Sequence, residues 1–597
     1  MNNMKLYIVG MVLAVMSLTA CTAGFLDVES KKESTTGNFY RTESDAWRAL
    51  IGCYDGWQCT TSSQACAFYF ASQVMADECF AGMGNTDARN YQVIDRFDAT
   101  QSPSDMNLLE TEWTNYYAAV YRCNELLAHE GQISWTSDQT RNTYMGECRA
   151  LRALCYFDMV RLWENIPLFT EPVNENRAQA NPEEVYNLIF SDLKFAADNI
   201  PAGAYPKSAA ASNDGHITKF AAEALLARVY LFYTGYYGKE PQVEGVTKAS
   251  VLQGLEDFIS VAETEGYGLV GEFKNLWPAA STSWSRNAAT GDYTQTTTYA
   301  GKGNMEVVLA QKFNYTQDYD GNNDGNRWLV YMGIRSYLNH APYGRGWGGC
   351  TVNPKMWTVY GTGDARREAS IINLDSEGIT DDSEYAKSYA DQREYTGYTV
   401  KKYTPMSKWV KDEKSGAWSI TDEISGLGEG DFQISQYQDF IVMRYADVLL
   451  MAAELGSPNA QAYFNQVRQR AYTVNDGEGN LSVSNDYREV AVTKENIIKE
   501  RMLEFAFEGQ RYWDLLRQGV DYAASQIAGT TSVVSGGNPE DVSITASNII
   551  GKRGFSQIPN NQIILSNGVY GAQNETYIEG WEKKASNLLI YKRLCKI

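Results

Sequence analysis

The sequence predicts a mainly α-helical fold: an α-solenoid of tetratricopeptide-like helix pairs with a large loop-rich insertion that carries short strands. Apolar residues recur with a helical period towards both ends of the 597-residue chain. Small alanines on these apolar stripes allow helices to pack closely as antiparallel pairs. Between the helical parts, Gly, Ser, Thr, Asn and Tyr become frequent and few stretches keep a helical period. We therefore expect a helical scaffold over about 38–237 and 440–520, and the insertion over about 238–439.

The N-terminal part of the scaffold contains four predicted helices. The first covers about 104–130 and the second about 137–164. One face of the second helix carries apolar residues at the i, i+3, i+4, i+7 spacing, namely Ala150, Ala153, Leu154 and Phe157. Asn181 is placed to cap the third helix, with Pro182 in its first turn. The fourth helix covers about 217–237 and has a continuous apolar stripe.

The insertion and the C-terminal half have weaker patterns. Short strands are expected at 307–310 and 398–403, and most of the remaining insertion is predicted to be loop. Helices resume at Tyr445, and the last strong helix is expected from about 493 to 518. The polar tail beyond Gly519 is predicted to be loop-like. An insertion of this length is far longer than an ordinary connection, which indicates that it serves a function.

Composition excludes some classes of function. The formal net charge is −21, with 52 Lys and Arg against 73 Asp and Glu. An acidic field of this size repels phosphate backbones, so we expect no nucleic-acid partner. The 40 Tyr and 14 Trp are many. They either fill the core or offer flat apolar faces with polar edges for binding sugars or partners.

The N-terminus carries a targeting signal. Lys5 precedes an apolar run over 6–18, which is too short to span a bilayer but suits a signal-peptide core. The small residues before Cys21 suit cleavage, so residues 1–20 are predicted to be a lipoprotein signal peptide and Cys21 the acylated residue. The alternative is an ordinary secretory signal with an incidental cysteine. No other long apolar run occurs, which leaves lipid as the available anchor.

The other cysteines and the histidines give no metal-ligand pattern. Nine cysteines remain after Cys21, none in a C-x-x-C pair, and the three histidines lie far apart. We therefore predict no zinc site. The cysteines from Cys53 to Cys79 are placed to form one or two disulfides in an oxidising compartment, whereas Cys148 and Cys155 fall in a helical stretch and are predicted to lie in the core.

Four stretches occur in the order typical of a known family. They are Cys21 followed by Phe25-Leu26-Asp27, the segment RYADVLLMAAE at 444–454, the segment ERMLEFAFEGQRYWDL at 500–515, and the stretch from Ile558-Pro559 to Ala572-Gln573-Asn574. On these motifs the chain resembles the SusD/RagB family, the nutrient-binding outer-membrane lipoproteins of Bacteroidetes. It departs from the family at its end, where the chain continues past Asn574 with Trp581 and Arg593.

The resemblance implies both a fold and a role. It implies one SusD-like domain over 21–597, anchored by lipid to the outer membrane and facing the cell exterior. Such a protein captures oligosaccharide or polysaccharide and delivers it to a SusC-like TonB-dependent β-barrel transporter, without catalytic residues or cofactors. The interleaved charges of 500–515 are predicted to pair along a helix and to neighbours, and so to hold the fold.

Candidate ligand-binding residues combine aromatic faces with groups that hydrogen-bond hydroxyls. Two zones supply both kinds of residue, and the family builds its binding surface from the same two zones. The candidates are Asp77, Asn85, Arg89, Trp284, Trp328, Tyr343 and Trp347. Trp284 and Trp328 stand in polar stretches with no helical stripe to bury them, which favours ligand contact. The glycine-rich segment from Tyr343 to Gly349 is either part of this surface or a structural turn.

Two further sequence patterns bear on function. Asp320, Asn322 and Asp324 copy the start of a calcium loop, but Tyr331 stands at position twelve where Glu is wanted, so the segment is a structural calcium site or a solvated turn. No hydrolase or nucleotide-binding motif occurs. Three functions therefore stay open: glycan capture, peptide capture as in the RagB branch, and a surface glycoside hydrolase with paired carboxylates.

Overall fold

The computed structural model describes residues 39–62, 68–85, 91–98, 107–208, 215–315, 325–426 and 432–570. The predicted fold class is confirmed, because the described chain is rich in helices and has only small, separate sheets. The helices are α1 Glu43–Ser62, α2 Phe68–Val74, α3 Gln92–Asp95, α4 Glu110–Ala128, α5 Asp138–Trp163, α6 Pro182–Asn199, α7 Lys219–Tyr237, α8 Lys248–Glu265, α9 Pro278–Ser281, α10 Trp328–Met332, α11 Lys355–Thr358, α12 Arg366–Ser370, α13 Tyr385–Asp391, α14 Tyr445–Glu454, α15 Ala460–Ala471, α16 Lys494–Glu504, α17 Arg511–Leu516, α18 Val520–Ile527, α19 Ala546–Gly551 and α20 Asn560–Leu565.

The long helices pack against one another as pairs. Contacts join α1 to α4, α5 to α6, α7 to α8 and α14 to α15. Helix α5 begins after Ser137, whose side chain caps the Thr140 amide. Helix α6 begins with the predicted Asn181 cap, completed by Glu184 as a capping box. Sequence signals therefore located the starts of the scaffold helices well.

Three boundaries differ from the sequence prediction. Helix α8 lies inside the predicted insertion, where Thr247 caps its start and Gly266 ends it with φ +84°. The helix expected over 493–518 is two helices, α16 and α17, because the chain between them turns through positive φ at Phe507 and Gly509. The tail beyond Gly519 is not simply loop, since it contains α18, a long hairpin, α19 and α20.

The strands form one four-stranded sheet and six two-stranded units in the described chain. They are β1 Cys79–Phe80, β2 Thr282–Arg286, β3 Tyr293–Thr297, β4 Val307–Gln311, β5 Ile334–Arg335, β6 Arg345–Gly346, β7 Thr351–Val352, β8 Ile371–Asn373, β9 Tyr398–Val400, β10 Ser407–Lys411, β11 Trp418–Asp422, β12 Phe440–Arg444, β13 Thr473–Asn475, β14 Leu481–Val483, β15 Gly529–Ser535 and β16 Asn538–Ile544. The four-stranded sheet has the order β1-β7-β9-β8. Both predicted strands exist, as β4 and β9.

A buried network of charges joins the insertion to β12, α15 and α16. Arg366 bonds Asp364 at 2.7 Å and Glu500 at 2.6 Å, and it also bonds Glu504 at 3.2 Å. Glu504 in turn accepts hydrogen bonds from Arg444 and Arg470. The side chains of Arg366 and Glu504 are fully buried. The prediction that charges of 500–515 pair with neighbours is confirmed, since these partners lie on other elements, and their role in holding the fold stays a prediction.

Within the described ranges, no helix combines the length and apolar character needed to cross a bilayer.

Candidate functional site

Trp328 belongs to the core. It is 1% exposed, and its ring lies edge-on to Tyr69 and Phe440 at centroid distances of 6.0 and 5.9 Å. The prediction that Trp328 contacts ligand is therefore wrong. The polar residues that precede it concealed the short helix α10, all of whose side chains are buried.

Asp77 is also structural. Its carboxylate lies 2.9 Å from Arg511 and 2.9 Å from Lys355, so it joins α17 to α11. Burial by itself would raise the pKa of Asp77, but Arg511 and then Lys355 hold that pKa below its ordinary value. Since Asp77 is 6% exposed and paired on both sides, its assignment to the ligand surface is corrected.

Tyr343 belongs to a structural turn, which is one of the two alternatives that the sequence left open. It is 6% exposed, and its hydroxyl donates to Glu377 Oε2 at 2.5 Å. Burial, followed by the Glu377 charge, raises the pKa of the phenol. Backbone hydrogen bonds join Tyr343 to His340 on both sides of a tight turn. Tyr343 therefore supports the loop from within and is withdrawn as a ligand contact.

The two zones that the sequence singled out do meet. The Met83 amide donates to the Gly348 carbonyl at 2.8 Å, and the Arg393 amide donates to the Met83 carbonyl at 3.0 Å. Asn85 is exposed beside this junction and its amide donates to the Asp391 carbonyl. Arg89, Cys21 and the candidate calcium residues Asp320, Asn322 and Asp324 lie outside the described residues.

Trp347 lies half-buried at the same junction. Its ring packs edge-on against the buried Tyr331 at a centroid distance of 4.9 Å. The Arg327 guanidinium lies over the Trp347 ring, 5.5 Å from its centroid. Tyr331 and Arg327 hold the indole in place, and the Trp347 side chain stays half-buried.

A second aromatic group lies on two β-hairpins of the insertion. In the β2–β3 hairpin, Trp284 pairs with Gln295 and Arg286 with Tyr293, so these side chains share one face. Tyr293 stacks on Trp409 of β10 at 3.8 Å and 13°, and meets Trp418 of β11 edge-on at 5.4 Å. We call these four half-buried residues the hairpin aromatic cluster: Trp284, Tyr293, Trp409 and Trp418.

Charged side chains surround the hairpin aromatic cluster and connect it to Trp347. Lys411 pairs with Asp292 at 2.5 Å across the two hairpins. Arg345, two residues before Trp347, pairs with Asp422 at the base of the β10–β11 hairpin at 3.3 Å and lies 4.1 Å from the Phe432 ring centre. Half-buried aromatic rings therefore lie beside ion-paired polar groups, a combination of residue types that can stack on ring-shaped ligands and hydrogen-bond their rims.

Trp284 and Trp347 are among the sequence candidates, whereas Tyr293, Trp409 and Trp418 are not. One signal was available, because SKWVK and WSITD alternate around a turn that contains Gly416, which is typical of a hairpin with its tryptophans on one face. Tyr293 could not be found locally, since its stacking on Trp409 joins residues more than one hundred positions apart.

Comparisons with known proteins agree with this architecture. A model described as "SusD family" matches residues 305–581, and one described as "Starch-binding associating with outer membrane" matches residues 25–231. SusD-like protein P38 of Formosa agariphila is 23% identical over 531 residues, covering 84% of this chain and 88% of that protein. A SusD-like protein of Bacteroides ovatus is 23% identical over 530 residues, covering 85% of this chain and 81% of that protein.

Solved structures share the fold. Surface glycan-binding protein A from Bacteroides thetaiotaomicron, in complex with laminarihexaose, aligns with a TM-score of 0.65 at 20% identity, covering 88% of this chain and 98% of that one. A structure described as a laminarin binding SusD-like protein aligns with a TM-score of 0.64 at 24% identity, covering 90% of this chain and 100% of that one. With two family models that together match most of the chain, and with relatives that align over most of their length, the chain belongs to the SusD/RagB family.

Proposed function

We propose that this chain is a cell-surface glycan-binding protein that captures oligosaccharide or polysaccharide on the surface formed by Trp347 and the hairpin aromatic cluster. The observation that carries the proposal is the grouping of half-buried aromatic rings from separate elements beside paired charges. Aromatic faces stack on the apolar faces of sugar rings, and the charged edges hydrogen-bond hydroxyls. Structural relatives described with laminarihexaose and laminarin support a glycan over a peptide.

Replacing Trp409 tests this proposal. Because Trp409 is half-buried and holds Tyr293 in place by stacking, we expect Trp409→Ala to disturb both rings and to weaken glycan binding by about 1 kcal/mol, or roughly fivefold. A glycan-array screen, with laminarihexaose included, identifies a ligand, and calorimetric titration then measures its affinity. Trp135→Ala is the matched control, since Trp135 is also half-buried but packs on Tyr144 in the helical scaffold.

The titration has two outcomes that contradict the proposal. Equal weakening by Trp409→Ala and Trp135→Ala would show a general effect on folding instead of a contact with ligand. Binding of peptides with no binding of any glycan on the array would favour the RagB-like function over the proposed one.

Binding without catalysis is part of the proposal. A glycoside hydrolase needs two carboxylates about 5–10 Å apart that are free to act on one sugar linkage. On this surface Asp292, Asp422 and Asp391 are ion-paired with Lys411, Arg345 and Arg335. We expect the bound glycan to be recovered intact after prolonged incubation with the protein, as measured by chromatography. The appearance of shorter products would contradict this part of the proposal.

The cellular role rests on the family and on the N-terminal sequence. We propose that Cys21 carries the lipid that anchors the chain to the outer membrane, facing the exterior. We expect Cys21→Ala to release the protein from membranes in cells that lack the transporter, as measured by fractionation after a high-salt wash. Retention of the variant in the membrane fraction would disprove the anchor.

We also propose a SusC-like TonB-dependent β-barrel transporter as the protein partner that receives the glycan. The resemblance over 21–597 suggests this partner. Purification from native membranes in mild detergent is expected to recover a large β-barrel protein together with this chain. Repeated recovery of this chain alone would count against the partner.

A further inference from the structure

Three cysteine side chains meet in the core of the helical scaffold. Cys53 lies on α1, Cys123 on α4 and Cys148 on α5, and their Sγ atoms all lie within 4.8 Å of one another. Each residue is 0% exposed. We call this group the thiol triplet. No sequence pattern indicates the triplet, because the three positions are separated by 70 and 25 residues and fit no metal-ligand spacing.

Packing between the helices brings the thiol triplet together. The Cys148 thiol donates a hydrogen bond to the Cys123 carbonyl at 3.4 Å, which joins α5 to α4 beside the three sulfurs. Cys155 lies seven residues further along α5 and is also 0% exposed, but it is not part of the triplet.

The donor set determines which ion would fit. Among the described residues, no His, Asp, Glu or further Cys joins the three sulfurs as a fourth ligand. Structural zinc sites are almost always four-coordinate, and hard cations require oxygen ligands. Soft sulfur ligands select Cu(I), zinc and iron–sulfur clusters, and of these Cu(I) is the one that is commonly held by three sulfurs alone. A sulfur–sulfur separation below 4.8 Å also matches three sulfurs at ordinary metal–sulfur bond lengths around one ion.

We propose that Cys53, Cys123 and Cys148 bind one Cu(I) ion in a three-sulfur site that ties α1, α4 and α5 together. Each sulfur that coordinates as a thiolate loses its proton to solvent, and the ion keeps its oxidation state throughout. The site lies in the helical scaffold, apart from the aromatic surface of the insertion. Its test is therefore independent of whether the chain binds glycan.

The experiment is a Cu(I) competition assay on the purified, reduced full chain under anaerobic conditions. Cu(I) is held by a coloured chelator such as bathocuproine disulfonate, and the protein is titrated in. We expect the native chain to withdraw one equivalent more Cu(I) than Cys123→Ser or Cys53→Ser does. Cys155→Ser is the matched control, because it also removes a fully buried thiol of α5 and is expected to withdraw as much Cu(I) as the native chain.

Thermal melts separate a lost site from a lost fold. Cu(I) is expected to raise the melting temperature of the native chain and of Cys155→Ser, and to leave that of Cys123→Ser unchanged. The proposal is overturned if folded Cys123→Ser withdraws as much Cu(I) as the native chain. It is also overturned if mass spectrometry of the chain purified from cells finds two of the three sulfurs joined in a disulfide.

Discussion

Arg366→Ala is expected to lower the free energy of unfolding by about 3–5 kcal/mol, because it removes one partner from a buried charge network. Arg366 is fully buried and bonds three carboxylates, those of Asp364, Glu500 and Glu504. Without the guanidinium, Asp364 keeps its charge in the interior with its main partner gone. Denaturant unfolding followed by circular dichroism measures the change.

The neighbouring arginine provides the control. Arg367 is the next residue in the chain, but its side chain is 32% exposed and pairs with a Glu368 that is 56% exposed. Exposed ion pairs contribute little, so Arg367→Ala is expected to cost at most about 0.5 kcal/mol. Equal losses from the two variants would mean that the buried network does not hold the fold.

The same network sets a direction for the dependence on pH. Burial would raise the pKa of Glu504, but Arg470, Arg444 and Arg366 lower it to about 2 in the folded protein. Because the folded pKa lies below that of the unfolded chain, Glu504 contributes its full stability above the unfolded pKa and loses it as the pH falls towards 2. We therefore expect acid unfolding to begin at a higher pH in Arg366→Ala than in the native chain.

Trp328→Ala is expected to cost about 3–5 kcal/mol of stability, the usual cost of replacing a large buried aromatic side chain by alanine. Its ring is 1% exposed and fills the space between Tyr69 and Phe440. Trp347, close to it in sequence, is only half-buried. Trp347→Ala is expected to leave the melting temperature nearly unchanged and to weaken glycan binding by about 1 kcal/mol.

Thermal melts and calorimetric titrations on these two variants distinguish core from surface. A stable Trp328→Ala with weakened binding would restore Trp328 to the ligand surface and would contradict the packing described above. An early-melting Trp347→Ala would show that its contact with Tyr331 matters more for folding than for ligand.

The sequence predicted the helical scaffold well because its signals are local. The residues that form the Asn181 cap of α6 lie within a few positions of one another in the sequence. The alanines of the α5 stripe are also only a few positions apart. Local sequence patterns do not show in the same way which charged side chains are buried. Arg501 looked like one member of a charged helix face, yet it bonds Asp447 and Asp514 from separate helices inside the core. Only the tertiary fold brings these partners together.

The sequence singled out part of the aromatic surface that we propose as the site. The family resemblance implied that the zone around Asn85 lies beside the zone around Trp347. The structure places the two zones at one junction. The individual ligand-contacting residues are harder to predict from sequence. The polar stretch before Trp328 indicates an exposed position, yet a short buried helix follows it. The hairpin aromatic cluster depends on two hairpins that contact each other from distant parts of the insertion, which no local pattern encodes.

The most direct test of the central claim is calorimetric titration of the identified glycan into the double variant Trp347→Ala with Trp409→Ala. The two rings belong to different elements that Arg345 connects through its ion pair with Asp422. If both contact one glycan, the losses add to about 2 kcal/mol, or roughly thirtyfold in affinity, with little change in melting temperature. Native affinity in a folded double variant would contradict the claim that this aromatic surface binds the glycan.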